Sequence, residues 1–131
     1  MTLPVFDEPT LQDMEQALRS LPRRIIAGHT PEERRAAVLV SLCTVGGEPS
    51  FLFTKRTDDV PTHKGQVAFP GGMTDPGDKD PVATAVRETM EEVGFPESSI
   101  RVLGMSHDVR AITGVPVTPV IGFLGEIPEP L

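Results

Sequence analysis

Arg87-Glu88-Thr89-Met90-Glu91-Glu92-Val93-Gly94 is the stretch whose reading decides the fold of this chain. Glu88, Glu91 and Glu92 stand at i, i+3 and i+4, so on a helix they are surface neighbours. Val82, Val86, Met90 and Val93 recur at helical spacing and gather on the other side. The pattern predicts an amphipathic helix with an apolar stripe, Met90 included, facing a core and three carboxylates facing outward. Like charges so placed repel by a few tenths of a kcal/mol per pair, roughly. A hard divalent cation that takes oxygen ligands would offset that cost, and Mg²⁺ usually bridges to substrate phosphates as well.

Working outward, Asp80 is placed to cap this helix and Pro81 to occupy its first position, where a missing N–H costs nothing. Gly94 fits as the C-terminal stop. Met73 to Asp80 is rich in Asp, Gly and Pro and reads as a loop, with Asp75 and Asp78 as turn residues. Upstream, Ala36–Val45 reads as a strand, Gly46-Gly47 as a turn and Ser50–Thr54 as the returning strand of a hairpin. Gln66–Phe69 is a short third strand that ends at Pro70-Gly71-Gly72. Ile100–Met105 and Val115–Leu124 are further strands, the latter pushed toward a sheet edge or an irregular segment by Pro116 and Pro119. Before all of these, Leu11, Met14, Leu18 and Leu21 outline a leader helix from Pro9 to Leu21, stopped by Pro22. Strands on both sides of a helix define an α/β or α+β layered domain.

At 131 residues the chain is most simply one domain, and with no Trp or Tyr its core rests on aliphatic side chains and six Phe. A net charge of −7 argues against a nucleic-acid or anionic-membrane surface, which needs a basic stripe. It leaves room for a phosphorylated small molecule neutralised by a metal. Cys43 has no partner for an internal disulfide and lies in an apolar run, as a buried small hydrophobe does in a reducing compartment. No apolar run is long enough to span a bilayer, and the acidic N-terminus lacks a secretory pattern. Cytoplasmic is the default expectation, while Arg19, Arg23 and Arg24 keep a mitochondrial address open. The C-terminus is no peroxisomal signal of the Ser-Lys-Leu type.

Gly72, Arg87-Glu88, Glu91-Glu92 and Gly94-Phe95 resemble the Nudix hydrolase box, Gly-x5-Glu-x7-Arg-Glu-U-x-Glu-Glu-x-Gly-U with U bulky and apolar. Thr89 replaces the first apolar U. Asp78 stands where the pattern has Glu, with eight residues before Arg87 instead of seven. The resemblance implies a Nudix α/β/α sandwich with a mixed sheet over 34–131, preceded by a leader with one helix over 1–33. Family members usually continue through another strand and a second helix, so the C-terminal layer is expected to be incomplete. An uncovered sheet would invite homo-oligomers.

The implied chemistry is metal-dependent hydrolysis of a nucleoside diphosphate derivative. Glu91 and Glu92 would hold Mg²⁺ or Mn²⁺, and Glu88 would add a ligand or accept a proton from the attacking water. Arg87 would fix a neighbouring carboxylate through a bidentate contact. Leu52-Phe53-Thr54-Lys55-Arg56-Thr57, Gly65 and Phe69-Pro70-Gly71-Gly72 are similar to the second signature of the coenzyme A diphosphatase branch. That branch cleaves coenzyme A into 3′,5′-ADP and 4′-phosphopantetheine, which makes Arg56, Gly65, Phe69, Gly71 and Gly72 the substrate-binding candidates. Phe53, Thr57 and Pro61 depart from the signature, Pro61 replacing an Arg. Lys55, His63 and Lys64 are nearby donors; His63, Lys64, His107 and His29 read more simply as solvated loop residues. Rival readings are hydrolysis of ADP-ribose or a dinucleotide, and an inactive Nudix-like binding module.

Overall fold

The computed structural model describes residues 5–27, 33–55 and 67–128. Its central strand is β1, Ala36–Val45. Gly46 and Gly47 both take positive φ, 58° and 79°, which closes a two-residue hairpin with the twist of its strands. The tight turn pairs Val45 with Glu48, so the return strand β2 is Glu48–Phe51 and starts earlier than Ser50. Leu52 then turns inward: its N–H donates to the Ser41 carbonyl at 2.9 Å, and Ser41 Oγ donates to the Leu52 carbonyl at 2.7 Å. Beyond it, β3 (Thr54–Lys55) leaves the main sheet and pairs antiparallel with β4 (Val67–Ala68). Gly71–Met73 is not the end of a strand but a strand itself, β5, antiparallel to the start of β1.

The remaining strands are β6 (Arg101–Met105), β7 (Val109–Arg110) and β8 (Pro116–Glu126). The main sheet runs β2-β1-β8-β6, with β1 and β8 parallel and the other pairs antiparallel. Against expectation, β8 is no edge strand. Its first residue is Pro116, a position where proline gives up little. Pro119 falls where β8 changes partner, pairing with β6 from Val120 onward and with β7 from Val117 back. Its carbonyl is used there, accepting from Ser106 N–H at 2.9 Å.

Alternation along β1 and β8 sends side chains to two separate cores. Leu39, Cys43, Val120 and Leu124 face one side, where helix α2 (Pro81–Val93) packs with Ala85 at its centre. Cys43 is buried, and burial raises its thiol pKa, as befits an inert hydrophobe. On the other face Leu42 and Leu103 meet Leu11 of helix α1 (Glu8–Ser20), with Phe6, Met14, Leu18, Ile121 and Phe123 around them. Asp7 caps α1 by accepting from Thr10 N–H at 2.9 Å. Arg101 of β6 clamps the helix from the sheet side, bonding Glu8 at 2.6 and 2.7 Å and Glu15 at 2.8 Å. The leader helix therefore supplies a helical layer, and helix, mixed sheet and helix make an α/β/α sandwich.

Asp108 ties the segment after α1 to the sheet. Its side chain is fully buried and receives Arg23 Nη1 at 2.7 Å, Ile26 N–H at 3.0 Å and Thr118 Oγ1 at 2.8 Å, with Arg35 Nη2 also bonded. Burial pushes its pKa up, but the Thr118 and Ile26 hydrogen bonds and the charges of Arg35 and Arg23 outweigh burial. The net value lies below the ordinary one. A depressed carboxyl contributes stability above its unfolded-state pKa and loses it as pH falls through the folded value. Asp108→Asn should cost about 2–3 kcal/mol near neutrality, less than for a fully buried pair because both arginines reach solvent. Urea unfolding across pH should show the gap to wild type closing only below the ordinary carboxylate range.

Candidate active site on the flank of helix α2

The signals that open and close α2 work as the sequence indicates. Asp80 accepts from Ala83 N–H at 2.8 Å, Pro81 begins the helix, and Gly94 stops it at φ 78° with its N–H on the Met90 carbonyl at 3.0 Å. The buried face is rotated from the expected one. Thr84, Ala85 and Thr89 are buried, Val82, Val86 and Val93 are partly buried, and Met90 is 49% exposed. Thr89 fits the apolar position because its hydroxyl donates to the Ala85 carbonyl at 2.7 Å. At roughly 100° per residue, Glu88 lies only about 60° from Ala85, whereas Met90 lies about 140° away. This face packs on β1 and β5, with the threonine hydroxyls bonded within the helix and to Asp78.

That rotation turns Glu88 toward the sheet. Its side chain is 18% exposed, against 54% for Glu91. The carboxylate lies over the Cα of Gly72, where an added Cβ would come within 2.6 Å of Cδ and 2.7 Å of Oε1. Gly72 therefore leaves the space that the Glu88 carboxylate fills. Gly71, one residue earlier, leaves space for β1 instead: a Cβ there would meet the Ala37 carbonyl at 2.5 Å and Val38 Cα at 2.8 Å.

Arg87 holds the cluster together. Its Nε and Nη2 bond Asp78 Oδ1 and Oδ2 at 3.0 and 2.9 Å, and Nη2 also donates to the Met73 carbonyl at 3.1 Å. Nη1 reaches Glu88 Oε1 at 3.0 Å and Glu91 Oε2 at 3.3 Å. The bidentate partner is thus Asp78, nine residues back in the loop. Asp78 is both a turn residue and the anchor of Arg87. Its carboxylate also accepts from Asp75 N–H at 2.9 Å and from Thr84 Oγ1 at 2.9 Å. Arg87 above all, then the Asp75 N–H, hold the Asp78 carboxyl far below the usual range, and Asp78 in turn raises Arg87. Reading Asp78 as a turn residue alone misses this anchoring role. The signal was present as an acid just before a capped helix that carries an Arg on its loop-facing side.

The donor chemistry suits a hard cation: Glu88, Glu91 and Glu92 are carboxylates at i, i+3 and i+4 of α2, and Glu88 lies over Gly72. Among the described residues, no three His, Cys, Asp or Glu side chains converge into a ready-made cage. Mg²⁺ is bound by one or two carboxylates plus water and phosphate in many sites, so an open arrangement of this kind fits it. Phe69 lies half-buried in an aromatic cluster just before Pro70. Arg56 and Gly65, with Pro61, His63 and Lys64, lie outside the described residues.

Residues 33–126 match the model of the NUDIX domain, and the chain belongs to that family. Helix α1 lies before the matched range yet packs on its sheet. Among curated proteins the chain is similar to the uncharacterized Nudix hydrolase NudL of Yersinia pestis, 45% identical over 91 residues that make up 70% of this chain. The NudL protein of Yersinia pseudotuberculosis matches equally. The match covers 45% of each relative, so the chain spans about half the length of the curated relatives it matches. Among solved structures it resembles the Nudix hydrolase RenU of M. smegmatis, with 28% identity and a TM-score of 0.57 over 71% of this chain and 62% of that one. It also resembles an Ap4A hydrolase of C. elegans, with 25% identity and a TM-score of 0.59 over 70% and 66% of the two chains.

The two glycines should respond differently to the same change. Gly71→Ala drives a methyl into backbone that cannot yield, and should cost about 2–3 kcal/mol, the upper range of overpacking. Gly72→Ala meets the far end of a flexible side chain, so Glu88 swings away and the cost stays under about 1 kcal/mol. Paired denaturant melts check this contrast, and equal losses would contradict it.

Proposed function

We propose that this chain is the catalytic core of a metal-dependent diphosphatase that hydrolyses coenzyme A or its acyl derivatives to 3′,5′-ADP and 4′-phosphopantetheine. The observation that carries the reading is the Glu88 carboxylate seated over Gly72 and held by Arg87, with Glu91 open to solvent beside it. Membership of the Nudix family supports a hydrolase of nucleoside diphosphate derivatives that works with a divalent cation. The similarity of Leu52–Gly72 to the coenzyme A signature supports the substrate, with Arg56 and Gly65 as contacts to it.

In this reading Glu88, Glu91 and Glu92 hold Mg²⁺ or Mn²⁺, which when bound polarises phosphoryl oxygens and makes water more acidic. The chain's own residues set the geometry. Asp78 fixes Arg87 by two parallel bonds, and Arg87 keeps Glu88 and Glu91 on one side of the helix. Among the described residues Arg87 engages Glu88 through Oε1, which leaves Oε2 to bind the cation or to take a proton from the attacking water. Gly72 lets the β5 strand approach this carboxylate closely.

A second reading, hydrolysis of a dinucleotide, is favoured by the structural likeness to the C. elegans Ap4A hydrolase. Mass spectrometry of products from coenzyme A, ADP-ribose and a diadenosine polyphosphate, each with Mg²⁺, separates the readings. The expected outcome is 3′,5′-ADP with 4′-phosphopantetheine from coenzyme A. Glu92→Gln should lower turnover by about 100-fold or more, the scale of one lost transition-state contact. Gly72→Ala should lower it about 10–100-fold while keeping the fold, as expected for a ligand losing its support. Cleavage of ADP-ribose with coenzyme A left intact would overturn the first choice, and binding without turnover would point to an inactive module.

A further inference from the structure

The two threonines of α2 are fully buried, and they use their hydroxyls in opposite ways. Thr89 bonds within the helix, to the Ala85 carbonyl four residues back at 2.7 Å, the usual resort of a mid-helix threonine. Thr84 gives that bond up. Its Oγ1 stands 3.5 Å from the Asp80 carbonyl but 2.9 Å from Asp78 Oδ2, so its single proton goes to the charged oxygen outside the helix. Thr74 Oγ1, at 3.4 Å, is placed to donate to Thr84 in return. Thr84 and Arg87 stand at i and i+3 on one face of α2, and both reach the same carboxylate.

We propose that Thr84 is a positioning residue for diphosphate hydrolysis: its hydroxyl sets the angle of the Asp78 carboxylate, through which Arg87 and then Glu88 are aligned. The inference rests on the function proposed above. An aspartate carboxylate turns about its last bond at little cost, so something must choose its plane. The Asp75 N–H and Thr84 Oγ1 both hold Oδ2, one from the loop and one from the helix, and in that plane Oδ1 meets Arg87 Nε while Oδ2 meets Nη2. Length argues the same way. Asp78 is one methylene shorter than the Glu of the box and is followed by an extra residue before Arg87, and Thr84 fixes this short acid within reach of the guanidinium. Burial keeps water from competing for the bond. Valine has the same branched shape as threonine, so packing alone asks for no hydroxyl here.

The test compares Thr84→Val, which keeps the shape without the hydroxyl, with Thr84→Ser, which keeps the hydroxyl. On the diphosphate that wild type cleaves with Mg²⁺, Thr84→Val should lower kcat about 10-fold or more with KM unchanged, the scale for a group that orients a ligand. Thr84→Ser should restore most of that loss. On an Asp78→Ala background Thr84→Val should cost nothing further, because the hydroxyl acts through that carboxylate. In nitrogen-15 NMR the Arg87 Nε–H signal should shift and exchange faster with water in Thr84→Val but not in Thr84→Ser. Wild-type kcat in Thr84→Val, an equal loss on both backgrounds or an unchanged Arg87 signal would each overturn the proposal. Should Thr84→Val not fold, Thr84→Ala takes the same readings. Wild type that cleaves no diphosphate sinks the hydrolase reading instead, and the Arg87 signal alone then decides whether Thr84 aligns the clamp.

Discussion

The Arg87 guanidinium is the constraint on which the site depends. One planar cation bridges a loop carboxylate, the last carbonyl of β5 and two helix carboxylates, which fixes how α2 is rotated against β5 and the loop after it. Without it, Glu88 and Glu91 would repel each other and drift into water. With it, the glutamate flank lies beside β5, and Glu88 fills the space Gly72 leaves over the strand. The anchor is Asp78 because a turn N–H and a buried threonine hydroxyl fix the orientation of its carboxylate, so that both oxygens face the Arg87 guanidinium. The shorter acid and the extra residue in this loop, read against the family pattern, are therefore compatible with a formed clamp.

The same principle, a charged side chain holding elements distant in sequence, places α1. Arg101 grips Glu8 and Glu15, while Asp108 gathers Arg23 and Arg35 at the point where the chain passes from α1 toward β1. Hydrophobic burial of Leu11 against Leu42 and Leu103 supplies the attraction. The ion pairs supply direction, since apolar contact alone would let the helix slide along the sheet. The outcome is that both faces of the sheet are covered in a chain whose α1 precedes the family-matched segment.

Local signals were legible from the sequence wherever the deciding interaction spans a few residues. The Asp80 cap, the Gly94 stop, the two-glycine hairpin and the apolar β1 run all act within one turn or one strand, and all formed. Reading failed where a distant partner decided. Met90 fits a helical stripe by spacing, yet the face of α2 buried against the sheet carries Thr84, Ala85 and Thr89. Pro119 reads as an edge residue, but the change of partner from β6 to β7 lets proline stand in a central strand. Gly71-Gly72 reads as the end of a strand, whereas the absence of side chains is what allows β5 to lie against β1 and Glu88.

The sequence by itself determined the helix that carries the glutamates, its two ends, the family it belongs to and the acidic chemistry on offer, because these depend on spacing and short-range bonds. Only the tertiary structure decided that Asp78 anchors Arg87, that Glu88 rests over Gly72, that α1 covers the second face and that three phenylalanines share one surface. Those outcomes depend on contacts between residues far apart in the chain, and such contacts are settled only when the sheet has brought their backbones together.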